Sequence, residues 1–190
     1  PKVLRHLLPV VHPERYDGYT AFDYLDLIER LGSWTEWVPQ RAGYSVNEAY
    51  RAVFDGYLRF SRPDLYITIH RTAFGLYHEA LSEKYREHYM VELLYHRLAI
   101  VIFDLGLFGC TEAKGKIAVD IFLEGTDGDS VGGIEDEQVT TLYRTLLRDA
   151  DLAEWFSSDQ VRTILRKLFE TTDRASELER MLEASGLSFD

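Results

Sequence analysis

The stretch DLYITIHRTAFGLYHEALSEKYREHYMVELLYHRLAIVIFDLGLFG, residues 64–109, decides the fold class. It contains no proline, and Gly75 is its only glycine before residue 106, so little interrupts a helix here. A single helix of about forty residues would extend roughly 60 Å, about twice the diameter of a small domain. We therefore predict two helices, separated by a break in the polar segment 82–88.

Apolar residues at helical spacing predict four further helices on either side of this stretch. They cover residues 20–31, 45–60, 135–150 and 159–184. The pattern favours a mainly α protein, a helical bundle that forms a single domain over residues 1–190.

The first two of these helices should each bury an apolar stripe in the core. Helix starts are marked by Ser-x-x-Glu/Gln capping boxes, in which two side chains bind the free backbone N–H groups of the first turn. The boxes are Ser33–Glu36, Ser45–Glu48 and Ser157–Gln160. The stripes are Phe22, Leu25, Leu27, Ile28 and Leu31 in the first helix, and Ala49, Val53, Tyr57 and Phe60 in the second.

Residues 116–124, KIAVDIFLE, depart from the helical pattern. Their apolar residues alternate with a period of two, which is typical of a strand. We expect one short strand or a hairpin here, and a strand needs a partner. The candidate partners are residues 65–69, residues 7–11 or the same strand of a second subunit.

The composition limits the classes of function. The chain has 190 residues with 46% hydrophobic residues and a net charge of −11, which argues against binding to nucleic acid. Its one cysteine, Cys110, fits a reducing cytoplasm. Residues 1–16 do not resemble a secretory signal, and the longest apolar stretch, 98–110, is too short to span a bilayer. We expect a cytoplasmic protein outside the membrane.

Three potential metal ligands recur on one side of the second long helix. His88, Glu92 and His96 are spaced four residues apart, and imidazole with carboxylate suits zinc or iron. The two histidines would lie about 12 Å apart along the helix, so they cannot bind one ion together. Such a site would need ligands from elsewhere, for example His70 or His78. The alternative is a seam of polar contacts that also includes Arg97 and Asp104.

The segment RTAFGLYH, residues 71–78, places Arg71 and His78 on nearly the same side of a helix. It resembles the Arg-x(4–6)-His motif of the HEPN ribonuclease superfamily. The resemblance implies helical domains that pair to form a metal-independent RNA-cleaving site, with His78 in proton transfer and Arg71 holding the phosphate. The segment departs from the family at Thr72, where Asn, Asp or His is usual.

The segment DGDSVGGIEDEQ, residues 127–138, resembles the calcium loop of an EF-hand. Asp127, Asp129 and Glu135 would supply oxygen ligands. Val131 and Gln138 replace two ligands of the usual loop. The alternative is a Gly-rich turn followed by acidic residues that complement the dipole of the next helix. Calcium here and zinc at Glu92 are the cofactors that the sequence leaves open.

No nucleophile or nucleotide-binding motif supports an enzyme. We therefore expect a non-enzymatic interaction or regulatory protein, such as an adaptor or an immunity-type protein, that acts through an acidic, aromatic-rich surface. Its charge would suit a basic protein partner, and a homodimer also fits. The alternatives are a helical enzyme, HEPN-like at Arg71 and His78 or metal-dependent at Glu92 and His96, and a small-ligand sensor whose pocket includes Trp34 and Trp37.

Overall fold

Helices form most of the protein, as the computed structural model shows for residues 2–38, 43–108, 110, 115–126, 134–170 and 180. The prediction of a mainly α fold is confirmed. The chain divides into two compact units, residues 1–76 and residues 77–190. The single domain over residues 1–190 stays a prediction.

The first unit contains three helices before its only described strands. These are α1 (Lys2–Val11), α2 (Pro13–Tyr16) and α3 (Ala21–Leu31). A 3₁₀ turn (Gly32–Trp34) leads into a two-stranded antiparallel hairpin of β1 (Thr35–Val38) and β2 (Gly43–Val46). Helix α4 (Glu48–Ser61) and the first part of α5 (Pro63–Glu83) complete the unit.

Helix α3 begins and ends where the sequence predicts. The Thr20 backbone N–H donates to the Asp23 carboxylate at 2.6 Å, which stabilises the first turn. The helix stops at Gly32, whose φ of +46° lies in the left-handed region that glycine tolerates. The helix predicted at 20–31 is confirmed.

The hairpin overturns two of the predicted capping boxes. Ser33 lies in the 3₁₀ turn and Glu36 in β1, while Ser45 lies in β2. The segment is rich in Thr, Trp, Tyr and Val, which favour a strand, and this preference outweighs the cap motif. The cap of α4 is Asn47 instead, since its side chain accepts from the Ala49 N–H at 3.1 Å.

The described residues of the second unit contain the rest of α5 and five further helices. They are α6 (Glu87–Asp104), α7 (Val119–Leu123), α8 (Asp136–Arg148), α9 (Ala150–Trp155) and α10 (Ser158–Glu170). The interruption between α5 and α6 confirms the break predicted in 82–88. Aliphatic residues dominate the core of this unit, among them Met90, Leu93, Leu94, Leu142, Leu146 and Leu165.

The strand predicted at 116–124 is wrong, because Val119–Leu123 forms the short helix α7. Two groups of contacts hold that turn. The Phe122 N–H donates to the Ala118 carbonyl at 3.0 Å, and the Phe122 ring is fully buried. The Arg97 guanidinium of α6 donates to the carbonyls of Phe122 and Ile121, both at 2.7 Å. A helical turn satisfies its own backbone, whereas a strand here would need a partner.

The predicted capping box at α10 is confirmed. The Ser157 N–H donates to the Gln160 side-chain oxygen at 3.0 Å, and the Gln160 N–H donates to the Ser157 hydroxyl at 3.3 Å. The predicted helix at 135–150 corresponds to α8. The predicted helix at 159–184 is present as α10 up to Glu170, and most of its continuation lies outside the described residues.

The contacts of Arg97 predict how strongly α7 is held. In Arg97→Met, two carbonyls at the end of α7 lose their donor, so we expect the free energy of unfolding to fall by about 1–3 kcal/mol in urea titrations. The control is Lys167→Met, which removes an ion pair to the exposed Asp120 at 2.5 Å. It should cost under about 1 kcal/mol. Equal effects of the two substitutions would contradict the assigned role of Arg97.

Candidate functional site

Helix α4 exposes an apolar stripe to solvent. Its members are spaced three or four residues apart and so share one side of the helix. Their exposed fractions run from 39% to 79%, which is high for such large side chains. The stripe consists of Tyr50, Val53, Phe54, Tyr57 and Phe60. The prediction that α4 buries this side in the core is wrong.

The opposite side of α4 is charged and faces inward. Asp55 and Arg59, one turn apart and roughly opposite Tyr57, form an ion pair at 2.5 Å and are both partly buried. The Arg59 guanidinium lies over the ring of Tyr66 on α5, 5.6 Å from its centre. Tyr66 is almost completely buried. Helix α4 therefore packs in the first unit through its charged side, which turns the aromatic side outward.

His70 extends this packing by one turn of α5. Its ring lies 4.4 Å from the ring of Tyr66, and only 6% of the residue is exposed. Burial, followed by the positive charge of Arg59, lowers the pKa of His70 to about 4. The imidazole is therefore neutral at pH 7, and Arg59 places its charge next to a ring that carries none.

The turn before the hairpin extends the exposed aromatic surface. The Trp34 ring stacks on Tyr50 at 4.9 Å and lies 5.6 Å from Phe54, while 43% of Trp34 stays exposed. We call Trp34 together with Tyr50, Val53, Phe54, Tyr57 and Phe60 the α4 aromatic face. Trp37 in β1 is also half exposed. Both tryptophans lie at the surface, which disagrees with their predicted place in a ligand pocket.

Helix α3 shows the same departure from the predicted core stripe. Phe22 is 81% exposed, and Leu25 and Leu31 are also exposed, so only Ile28 of the predicted stripe is buried. Tyr24, which the pattern did not single out, is buried and lies 5.6 Å from Tyr19. The first unit thus leaves large apolar side chains on the outside of both α3 and α4.

The net negative charge of the chain comes from the second unit, residues 77–190. Residues 1–76 contain nine Lys and Arg and nine Asp and Glu, which gives a net charge of zero. Residues 77–190 contain the other 12 basic and 23 acidic residues, a net charge of −11. The sequence predicted one surface that is both acidic and aromatic-rich. The exposed aromatic residues described above belong to the first unit and the acidic excess to the second, so a surface that combines the two stays a prediction.

The residues of the HEPN-like motif lie on one helix. Arg71 and His78 are both on α5, two turns apart, with Arg71 exposed and His78 partly buried. The spacing matches the expectation from the sequence. Their role in cleaving RNA stays a prediction.

The histidines of α6 contact aromatic rings. The Nε2 atom of His96 lies 4.0 Å from the Glu92 carboxylate, and its ring stacks on Tyr77 at 5.7 Å. His88 contacts Tyr89 edge-on at 4.4 Å. Across the described ranges, no group of three or more His, Cys, Asp or Glu residues could hold a metal ion. These contacts resemble the predicted polar seam, in which Arg97 interacts with Asp104 and also donates to the carbonyls of α7.

The predicted calcium loop falls mostly outside the described residues, which include neither Asp127 nor Asp129. Glu135 is described and lies at the start of α8. Its backbone N–H donates to the Gln138 side-chain oxygen at 2.9 Å. This contact is a helix cap, which agrees with the alternative reading of the acidic residues at this helix start.

The residue types of the α4 stripe are a signal in the sequence for the α4 aromatic face. The buried core of the second unit is mainly Leu, Ile, Val and Met, whereas the stripe of α4 is aromatic at four of five positions. Aromatic residues are enriched where proteins contact each other. Helical spacing alone cannot separate a stripe that faces the core from one that faces a partner.

Comparison with protein-family models, with curated proteins and with solved structures finds no match to this chain. Within the part of the chain that the structure describes, no helix has both the length and the apolar character needed to cross a membrane.

The environment of His70 predicts a pH-dependent stability. As pH falls, the unfolded imidazole takes up a proton near its usual pKa of 6.5, while the folded one resists until about 4. The contribution of His70 to the free energy of unfolding is complete above pH 6.5. It should fall by about 3 kcal/mol as pH drops from 6.5 to about 4. Replacing His70 by Phe keeps a ring against Tyr66 and should remove that component.

Urea titrations at pH 7.5 and pH 4.5, followed by tryptophan fluorescence, measure the effect. The difference between the two pH values should be smaller in His70→Phe than in the wild type. If both proteins lost the same stability on acidification, His70 would not be buried in its neutral form.

Proposed function

We propose that this chain is a non-enzymatic interaction protein that binds a protein partner through the α4 aromatic face. The observation that carries the proposal is the orientation of α4, which turns the partly buried Asp55 and Arg59 toward Tyr66 and exposes its aromatic side. A helix with that orientation gains little from its apolar residues until another surface covers them.

The composition of the face supports this role. Five of its six residues are Trp, Tyr or Phe, which supply large contact areas with few rotatable bonds. Trp34 is already held by stacking on Tyr50 and Phe54, so less side-chain entropy is lost when it is covered. A partly pre-ordered aromatic anchor of this kind is common at the centre of protein interfaces.

The acidic excess suggests a second, separate contact. A basic partner would be attracted to the second unit, where the net charge is −11, rather than to the neutral first unit. We place this interaction protein in the cytoplasm, because a single free and exposed cysteine, Cys110, suits a reducing compartment.

Substitutions on α4 test the proposal. The immobilised full-length chain is incubated with an extract of its native cells, and the captured proteins are identified by mass spectrometry. We expect Val53→Glu and Tyr57→Glu each to lower capture by tenfold or more, because a carboxylate would be buried without a partner. The matched control is Ile121→Glu, which changes an exposed apolar residue of the second unit and should keep capture intact.

Salt separates the two kinds of contact. Capture through the α4 aromatic face should persist in 1 M NaCl, whereas capture of basic proteins by the second unit should be lost. If Val53→Glu and Tyr57→Glu captured the same partners as the wild type and the Ile121→Glu control, the α4 aromatic face would not be a binding surface.

The ribonuclease alternative has a direct test. We expect neither the wild type nor His78→Ala to cleave single-stranded RNA, since the proposed role requires no reaction. Cleavage is followed on labelled RNA without added metal. RNA cleavage by the wild type that is abolished in both His78→Ala and Arg71→Ala would contradict the proposal and establish the HEPN-like site.

A further inference from the structure

We infer that the partner covering the α4 aromatic face is a second copy of this chain, so that two α4 helices pack against each other across a twofold axis. This inference rests on the proposed function and names the partner for the same surface. Three properties of the face carry it, namely its area, its charge and its symmetry.

The exposed area is close to what a stable dimer needs. The six residues of the face are between 39% and 79% exposed. With roughly 150–250 Å² for each large aromatic side chain, they present on the order of 600 Å² of apolar surface. A standard interface covers about 800 Å² on each partner. The neighbouring Trp37, 54% exposed, extends the apolar surface toward that value.

The charge distribution permits two copies to meet here. Two chains with a net charge of −11 repel each other as whole molecules. The first unit, however, has a net charge of zero, and the stripe on α4 contains no charged residue. Asp55 and Arg59 are paired with each other on the opposite side of the helix. The six residues of the face therefore place no like charges in contact when two copies meet, and a basic partner would find no carboxylate among them.

The stripe is also suited to meet its own copy. A twofold interface must be self-complementary. If one residue contacts a second residue of the other copy, that second residue contacts the first residue of the other copy. The stripe extends from Tyr50 to Phe60, about 15 Å along the helix. In an antiparallel pair the two ends would contact each other, and Phe54 and Tyr57 would lie near the axis. Tyr50 at one end and Phe60 at the other are similar in size, so the two contacts between opposite ends are equivalent in an antiparallel pair.

The molar mass of the full-length chain in solution tests the inference. Light scattering after size-exclusion chromatography should give about twice 22.0 kDa for the wild type and for Ile121→Glu. Val53→Glu and Tyr57→Glu should each elute at the monomer mass with an unchanged helical circular dichroism spectrum. Adding 1 M NaCl should leave the wild-type dimer intact or strengthen it, because salt screens the repulsion between the acidic units.

Cross-linking locates the contact. In a Cys110→Ser background, Tyr57→Cys should be joined to its copy by a short bismaleimide with high yield. Ile121→Cys in the same background should give only monomer. A dimer that cross-links through Ile121→Cys and not through Tyr57→Cys would overturn the assigned surface.

The outcomes also separate this inference from the proposed function. A monomeric wild type whose capture of other proteins is still lost in Val53→Glu would overturn the homodimer and leave the proposed function standing. A monomeric wild type whose capture is the same in Val53→Glu would overturn both. A dimer that dissociates in Val53→Glu and Tyr57→Glu supports both.

Discussion

The contact between the Arg59 guanidinium and the Tyr66 ring determines the orientation of α4. Arg59 is held by Asp55 one turn earlier, and Tyr66 is buried and in contact with His70. A partly exposed cation over an aromatic ring is stabilised by on the order of 1 kcal/mol, and a neutral histidine beside it avoids a second positive charge. This arrangement makes a charged side the packing side of α4, the reverse of the usual order in an amphipathic helix.

That reversal has a cost which a partner can offset. Leaving six apolar side chains 39–79% exposed forgoes part of the burial that normally stabilises a helix of a small unit. The second unit shows the ordinary solution, with aliphatic residues of α6, α8 and α10 sharing one core. The difference between the units gives the proposed function its physical basis. The second unit buries most of its large apolar side chains in its own core, whereas the first leaves several of them exposed on α4, where the proposed partner would cover them.

The sequence predicted the elements whose causes are local. The break between α5 and α6, the start and end of α3 and the Ser157–Gln160 cap follow from polar runs, glycine and capping residues. Residues 116–124 were misread because the contacts of Arg97, more than twenty positions away, favour a helical turn over the alternating pattern. The direction of the α4 stripe was misread for the same reason, since Tyr66 lies on another helix. A period of 3.6 residues identifies a face without saying what covers it.

Carbene footprinting of the wild-type chain at two concentrations tests the central claim most directly, because it reports which side of α4 meets solvent. We predict that Tyr57 and Phe60 are labelled in dilute protein and protected in concentrated protein. Leu105, an exposed apolar residue of the second unit, should be labelled equally in both. If Tyr57 and Phe60 resisted labelling at every dilution while Asp55 and Arg59 were labelled, α4 would pack through its aromatic side, and the account would be wrong.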